Sequence, residues 1–186
     1  MNFLNRIIMN NLKSVSEIRQ QITTKCNPMR KEPGIYRWWF KEYEAKKILN
    51  KISFNDYSKL QSKEIDQVLY VALYFGISKD MKGRASWHIC QKHTQTAVKH
   101  GTLSTLRQTL SALLDIDMIL SENFINEFID DNCYLEWDYD SNPKEVEITE
   151  LSHQNKYSYP LNIQENKTVE KSVITNLKRL RKLHKK

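Results

Sequence analysis

Basic side chains cluster where a helix is predicted to follow a strand. Lys79, Lys82 and Arg84 fall in the first two turns of this helix, where they oppose the positive end of the helix macrodipole. A bound anion would relieve this conflict, and the free N–H groups at a helix N-terminus bind phosphate. Arg84 and His88 are four residues apart, so they share one helix face and could hold a phosphate together with its attacking or leaving oxygen. The pattern predicts a phosphate site, with a solvated basic face as the alternative.

The elements that would position these side chains can be located by their patterning. Strands are predicted at 35–40, at Val68–Ile77, where apolar residues alternate, and at Cys133–Tyr139. Helices are predicted near 12–24, 80–93 and 103–115, from Pro143 to about Lys156, and from about Thr168. Asn142 before Pro143 is a typical helix start. Strands and helices therefore occur in one chain, with few glycines or prolines to separate them.

The composition limits the organisation and the partners of the chain. Its 186 residues suffice for one compact domain. The formal charge of +7 comes from the last twenty residues, which hold eight Lys and Arg against Glu170 alone, whereas residues 1–166 sum to about zero. A basic segment fits a polyanionic partner such as DNA. The segment also has apolar residues at helical spacing, which predicts a helix that docks on the core and presents its charges.

The sequence favours a cytoplasmic protein without a membrane partner. Its longest apolar run, Val68–Ile77, is far shorter than the roughly 20 residues that span a bilayer. Cys26, Cys90 and Cys133 are widely spaced and contain no Cys-x-x-Cys pair, so neither a disulfide framework nor a four-cysteine zinc site is expected.

An ordered set of tyrosine, glycine, arginine, histidine, glutamate and asparagine residues resembles the GIY-YIG nuclease superfamily. The residues that carry the resemblance are Gly34-Ile35-Tyr36, Tyr74-Phe75-Gly76, Arg84, His88, Glu150 and Pro160-Leu161-Asn162. The resemblance implies an α+β fold, with a small three-stranded antiparallel sheet flanked by helices. The nuclease domain would span 33–166, with an insertion at about 41–67 between the first two strands. A helical extension at 1–32 and a basic helix at 167–186 would be additions.

The resemblance also implies an activity and roles for the site residues. The family cleaves DNA phosphodiesters as endonucleases with one divalent ion per site, Mg²⁺ or Mn²⁺. Glu150 would hold this ion, Arg84 would bind the scissile phosphate, and Tyr74 would position the attacking water or contact the phosphate. Tyr36 would help to activate the water. Support of the site would come from Gly34, Gly76 and Asn162.

The general base is left open between two residues. An unperturbed histidine titrates near neutrality, which favours His88, whereas a tyrosine would need a neighbouring cation or metal. The resemblance gives Tyr36 a share in the same role. Glu147 lies one turn before Glu150 on roughly the same helix face, but the spacing to Asn162 favours Glu150 as the carboxylate. Ile77 stands where the family often has lysine, so Lys79 or Lys82 would have to supply that charge.

The leading interpretation is therefore a metal-dependent endonuclease that binds DNA through phosphate contacts. The residues expected to contact DNA are Lys79, Lys82, Arg84, Lys178, Arg179, Arg181 and Lys182. The alternatives are a catalytically impaired DNA-binding module with the same fold, and an interaction protein whose tail binds an acidic partner. Double-strand cleavage would require a homodimer or two successive nicks.

Overall fold

A five-stranded antiparallel sheet and eight helices make up the described part of the chain. The computed structural model describes residues 9–163 and 166–186. The strands are β1 Asn11–Ser14, β2 Gly34–Lys41, β3 Ser62–Ile65, β4 Val68–Ser78 and β5 Cys133–Tyr139. The helices are α1 Val15–Thr23, α2 Glu42–Lys51, α3 Met81–Cys90, α4 Gln95–His100, α5 Thr105–Leu113, α6 Glu122–Asn132, α7 Pro143–Lys156 and α8 Lys171–Leu183. This arrangement confirms the α+β class.

The sheet has the order β1-β5-β2-β4-β3, so the prediction of three strands is wrong. The predicted strands form its centre, and one four-residue strand is added at each edge. β1 precedes α1 directly, because the side chain of Ser14 caps that helix and Glu17 completes a capping box. β3 lies in the predicted insertion and joins β4 through Asp66 and Gln67, whose φ values of 50° and 64° suit a tight hairpin turn.

A β-bulge in β4 breaks the regular alternation expected for that strand. Trp38 pairs with Tyr74 but Trp39 pairs with Ala72, which leaves Leu73 as an extra residue. Leu73 and Tyr74 consequently both pack on the side of the sheet that faces α3 and α5. The bulge thereby turns Tyr74 to the same side as Tyr36.

Apolar layers cover both faces of the sheet. The larger core lies between the sheet and α1, α3, α5, α6 and α8, and the smaller core lies under α7. Val15 and Ile18 of α1 and Val173 and Leu177 of α8 belong to the larger core, so both predicted additions pack on the domain. Residues 1–8 of the predicted N-terminal extension lie outside the described residues. Every helix in the described ranges is too short or too polar to cross a bilayer.

Candidate active site

A cavity of about 250 Å³ lies beside the part of β4 that has no strand on its outer side. The pairing of β3 with β4 ends at Val71, and the segment after α7 runs past the remainder of β4. The cavity is lined by six of the residues singled out in the sequence: Tyr36, Tyr74, Gly76, Arg84, Glu150 and Asn162. The fold thus brings together side chains that are up to 126 positions apart in the chain.

Tyr36 occupies its position because the residue opposite it is a glycine. Tyr36 on β2 pairs with Gly76 on β4, and a Cβ atom at Gly76 would lie 2.7 Å from the Tyr36 hydroxyl oxygen. The ring centroids of Tyr36 and Tyr74 are 6.2 Å apart. Gly34 has a different function, because a Cβ atom there would lie 2.2 Å from the carbonyl oxygen of Asp138 on β5. Gly76 makes room for a site residue, whereas Gly34 allows two strands to approach.

His88 lies behind Tyr36, away from the cavity. Its side chain is buried in α3, with Nε2 3.0 Å from the Tyr36 hydroxyl and Nδ1 2.6 Å from Oγ of Ser104. Arg107 holds the backbone here, because its Nη1 donates to the carbonyl oxygens of His88 and Ile89. Tyr36 is therefore the member of this chain of hydrogen bonds that reaches the cavity, and His88 is joined to the cavity through Tyr36.

Burial is the main influence on the pKa values of His88, Tyr36 and Tyr74. Burial, with the charges of Arg84 and Arg107, holds the pKa of His88 well below its usual value, so its imidazole is neutral at pH 7. Burial and the proximity of Tyr74 raise the pKa of Tyr36 well above its usual value. Burial also raises the pKa of Tyr74. The expectation that His88 titrates near neutrality assumed an unperturbed side chain, whereas the folded chain provides a neutral histidine bonded to a neutral tyrosine.

Arg84 provides the positive charge at the cavity. Its guanidinium lies 4.9 Å from the ring centroid of Trp87, and this cation–π contact orients the side chain along α3. The helix begins at Asp80, whose carboxylate accepts a hydrogen bond from the N–H of Gly83. Lys82 is exposed on the first turn, and Lys79 is exposed in the preceding turn and lines a neighbouring cavity. The predicted basic cluster is thus present, with Arg84 alone of these three residues lining the cavity.

α7 presents the carboxylate of the site. Asn142 caps this helix by accepting a hydrogen bond from the N–H of Lys144, and Pro143 occupies its first turn, as the sequence predicts. Glu150 lines the cavity and accepts a hydrogen bond of 3.2 Å from Nε2 of Gln154. Glu147 lines the neighbouring cavity instead. The structure therefore separates the two candidate carboxylates and brings only Glu150 to the tyrosines.

The oxygen donors at the cavity fit a hydrated divalent ion. Mg²⁺ prefers oxygen ligands, commonly uses one or two carboxylates and retains several waters. Glu150 supplies such a carboxylate, and the cavity has room for several waters at roughly 30 Å³ each. Over residues 9–163 and 166–186, no group of three or more His, Cys, Asp and Glu side chains forms a metal cage. The arrangement suits an ion held by Glu150 and water.

Asn162 closes the unpaired side of β4. Its Oδ1 accepts a hydrogen bond of 3.1 Å from the N–H of Phe75, and its Nδ2 donates one of 2.7 Å to the Phe75 carbonyl oxygen. The side chain thus replaces a neighbouring strand at the point where β4 enters the cavity. Leu161 adds a backbone bond of 3.0 Å to the carbonyl oxygen of Leu73. This support fixes the strand that carries Tyr74 and Gly76.

Gln61, which belongs to the predicted insertion at about 41–67, links β2 to the segment that follows α7. Oε1 of Gln61 accepts hydrogen bonds of 2.5 Å from Arg37 and 2.8 Å from the Tyr159 hydroxyl. The Tyr159 hydroxyl has one proton, so Nδ1 of His153, 3.1 Å away, is the donor in their hydrogen bond. His153 lies on α7 one turn after Glu150. The insertion is therefore joined to the helix that carries the carboxylate.

The basic helix α8 is fixed near the cavity. It packs on α5, and Nη2 of Arg181 donates a hydrogen bond to Oε1 of Gln108. Arg181 is half-buried, and its charge lowers the pKa of Tyr74 against the effect of burial. The other three predicted cations of the helix, Lys178, Arg179 and Lys182, are exposed.

Three residues that support the site were not singled out in the sequence. Ser104 contacts His88 from the N-terminus of α5, Thr105 lines the cavity, and Gln154 contacts Glu150. Gln154 lies four residues after Glu150 on one helix, and this spacing is a signal that could have identified it. Ser104 is 16 positions from His88, and no local pattern relates the two.

Comparison with known proteins identifies one family. Residues 34–183 match the GIY-YIG catalytic domain. The matched stretch contains all the residues that line the cavity, and it extends through α8. No match to the chain was found among curated proteins or solved structures.

Proposed function

The chain belongs to the GIY-YIG family of nucleases, and we propose that it is a metal-dependent endonuclease that hydrolyses DNA phosphodiester bonds. The observation that supports this most directly is the cavity that joins Tyr36, Tyr74, Arg84 and Glu150. A nuclease needs a positive group for the phosphate, a route for the proton of the attacking water and a ligand for a hard cation. These side chains supply all three.

Proton removal in this proposal involves two residues. The attacking water gives its proton to the Tyr36 hydroxyl as Tyr36 passes its own proton to Nε2 of His88. This transfer requires the neutral tautomer in which Nδ1 of His88 donates to Ser104 and Nε2 is free to accept. The distances of 3.0 Å and 2.6 Å support it. The lowered pKa of His88 keeps the imidazole neutral before the transfer. His88 is thus the proton acceptor, and Tyr36 is the group in contact with water.

Charge stabilisation in this proposal centres on Arg84. Its guanidinium offers several N–H donors to the non-bridging oxygens of the scissile phosphate, and its contact with Trp87 limits its motion. Tyr74 donates its hydroxyl proton to the phosphate or to the water. A divalent ion bound by Glu150, Mg²⁺ or Mn²⁺, would supply Lewis-acid stabilisation of the charge that develops on the phosphate.

Binding of DNA would rely on the exposed cations on both sides of the cavity. Lys79 precedes α3 and Lys82 lies in its first turn, whereas Lys178, Arg179, Arg181 and Lys182 lie on α8. Contacts of this kind release counterions, so affinity for DNA should fall steeply as salt increases. Two expectations stay predictions: a cytoplasmic location, expected from the short apolar runs and in agreement with the cysteine spacing, and a homodimer for double-strand cleavage.

Cleavage of supercoiled plasmid at low salt tests the proposed function. The wild type should nick or linearise plasmid with Mg²⁺ or Mn²⁺ and lose this activity when EDTA is added. Glu150→Ala and Arg84→Ala should each lower the rate by about 10²-fold or more. Glu145→Ala, which removes an exposed carboxylate from the same helix, is the matched control and should leave the rate unchanged. A wild type that binds plasmid without cutting it, equally with both substitutions, would favour the impaired DNA-binding module.

A further inference from the structure

A second cavity adjoins the catalytic cavity. It has a volume of about 420 Å³, and Ile77 and Arg84 line both cavities, so the two meet at these side chains. The remaining walls come from the residue before β2, the turn between β4 and α3, and the first two turns of α7. The volume is in the range of sites that enclose a small organic ligand.

The two cavities differ in chemistry. Tyrosine, arginine, glutamate and glutamine side chains line the catalytic cavity. The second cavity has an apolar lining of Pro33, Ile77, Pro143 and Val146, and its charged residues are Lys79, Asp80, Arg84 and Glu147. Of its two carboxylates, that of Asp80 accepts a hydrogen bond from the N–H of Gly83 at the start of α3. Polar groups suit a phosphate and a hydrated ion, whereas an apolar wall suits the faces of a sugar and a base.

The shared position of Arg84 relates the two cavities to one strand of DNA. A phosphate held by Arg84 carries a nucleoside on each side. One of these nucleosides would contact the apolar side chain of Ile77. The family often has lysine at this position, which would place a charge there instead. Lys79, exposed in the turn before α3, is placed to contact the next phosphate of the strand.

Glu147 gives the second cavity a means of selecting a base. A carboxylate accepts hydrogen bonds, and its best-matched partner among base edges is the exocyclic amino group of cytosine. Thymine presents a carbonyl oxygen at the corresponding position, which a carboxylate repels. Glu147 is exposed on α7, so its carboxylate is accessible to a nucleotide that enters from solvent.

We propose that the second cavity binds the nucleoside next to the scissile phosphate, unstacked from the DNA, with Glu147 accepting a hydrogen bond from an amino-bearing base, cytosine above all. This inference rests on the proposed function and specifies its substrate. A base that is already unpaired enters such a cavity at a lower cost than a base in a duplex. The preferred substrate is therefore DNA with an unpaired nucleotide at the cleavage position.

Binding of mononucleotides tests the inference without requiring cleavage. Methyl NMR spectra of the full chain would be recorded while 5′-dCMP, 3′-dCMP, the two thymidine monophosphates or deoxyribose 5-phosphate is added. We expect at least one dCMP isomer to shift the methyl signals of Ile77 and Val146, and to bind about five- to tenfold tighter than its thymidine counterpart. Glu147→Ala should reduce this difference to less than twofold, whereas Glu145→Ala should preserve it. Both positions are exposed on α7, so neither substitution disturbs the core.

Cleavage of synthetic duplexes provides the second measurement. The wild type should cut a duplex with one unpaired dC at least tenfold faster than the fully paired duplex, and faster than one with an unpaired dT. Val146 signals that stay unchanged with every mononucleotide would overturn the inference, as would equal binding of dCMP and deoxyribose 5-phosphate. These results would leave the proposed function intact if plasmid cleavage still depends on Arg84. Loss of the proposed function would instead appear as a wild type that cuts none of the DNA substrates.

Discussion

The hydroxyl of Tyr36 and Nε2 of His88 lie 3.0 Å apart, and this hydrogen bond joins the catalytic cavity to a fully buried imidazole. Residue types alone leave open which of the two side chains serves as the base, and in the proposed mechanism the two share this role. Neither is well suited to the task alone, because Tyr36 has a raised pKa and His88 has no access to the cavity. In the proposed mechanism, the two together form a path for one proton.

Replacement of Tyr36 by phenylalanine removes the hydroxyl from this path but keeps the ring. We expect cleavage to slow by about 10²-fold or more, because general base catalysis commonly contributes 10²- to 10⁴-fold. The free energy of unfolding should fall by about 1 kcal/mol, since Nε2 of His88 loses its partner. Single-turnover cleavage and urea denaturation measure the two effects. Tyr57→Phe, at an exposed position far from the cavity in sequence, is the control, and a loss of less than tenfold for Tyr36→Phe would argue against the path.

Two glycines of the site are expected to respond differently to alanine. In Gly76→Ala the new Cβ atom would lie 2.7 Å from the Tyr36 hydroxyl oxygen and displace the phenol from His88. We expect at least a tenfold loss of cleavage and a loss of about 1 kcal/mol of stability, because the buried hydrogen bond between Tyr36 and His88 is broken. In Gly34→Ala the Cβ atom would lie 2.2 Å from the backbone oxygen of Asp138, where no side chain can move aside. This variant should lose about 2 kcal/mol or more of stability. Equal effects of both substitutions on stability would contradict the distinction.

The sequence located the central strands and the helix of the carboxylate well, for local reasons. β5 has the predicted bounds Cys133–Tyr139, and α7 begins at Pro143 after its Asn142 cap. Such features depend on residues that are neighbours in the chain, and caps and apolar alternation report them directly. The cavity residues were identified from their order and spacing along the chain. This pattern extends over several strands and helices and cannot be seen within any one of them.

The features that sequence could not provide depend on tertiary contacts. β1 and β3 have four residues each and little alternation, so they become strands only because β5 and β4 offer unpaired edges. The bulge at Leu73 alters which side of the sheet Tyr74 faces. Because Val68–Ile77 is one apolar run, no residue type in it indicates where the bulge lies. The lowered pKa of His88 arises from burial by the assembled domain, and this burial reverses an argument based on an unperturbed imidazole.

Asn162 should contribute to stability and activity through the peptide of Phe75. In Asn162→Ala the N–H and C=O groups of Phe75 lose their partners at a buried position. Leaving such groups unpaired costs about 1–3 kcal/mol each, so we expect the free energy of unfolding to fall by about 2 kcal/mol. Urea denaturation measures this change, and Asn55→Ala at an exposed site is the control. Cleavage by the folded variant should also decrease, because the unsupported part of β4 carries Tyr74. An Asn162→Ala chain as stable as the control would show that water replaces the amide.

Buried histidines should make the folded chain sensitive to acid. Burial, reinforced by the charges of Arg37 and Lys156, lowers the pKa of His153 to about 4. The unfolded chain has a histidine pKa of about 6.5, so below pH 6.5 it takes up a proton that the folded chain does not bind. Stability is therefore lost as the pH falls from 6.5 towards 4, and His153 alone should account for about 2 kcal/mol by pH 5. His88 and His93, whose pKa values are also lowered by burial, act in the same direction.

The contribution of His153 can be isolated with His153→Gln, which cannot titrate. The free energy of unfolding would be measured for the wild type and the variant at pH 7 and at pH 5, and the difference between them should shift by about 2 kcal/mol in favour of the variant. His100→Gln, at an exposed position, should follow the wild type at both values. Cleavage should persist between pH 7 and pH 6, because His88 remains neutral over this range. A histidine with a pKa of about 6.5 would lose about threefold of its neutral form over this interval. A fall of this size in the rate, while the chain stays folded, would contradict the role of His88 as the neutral acceptor.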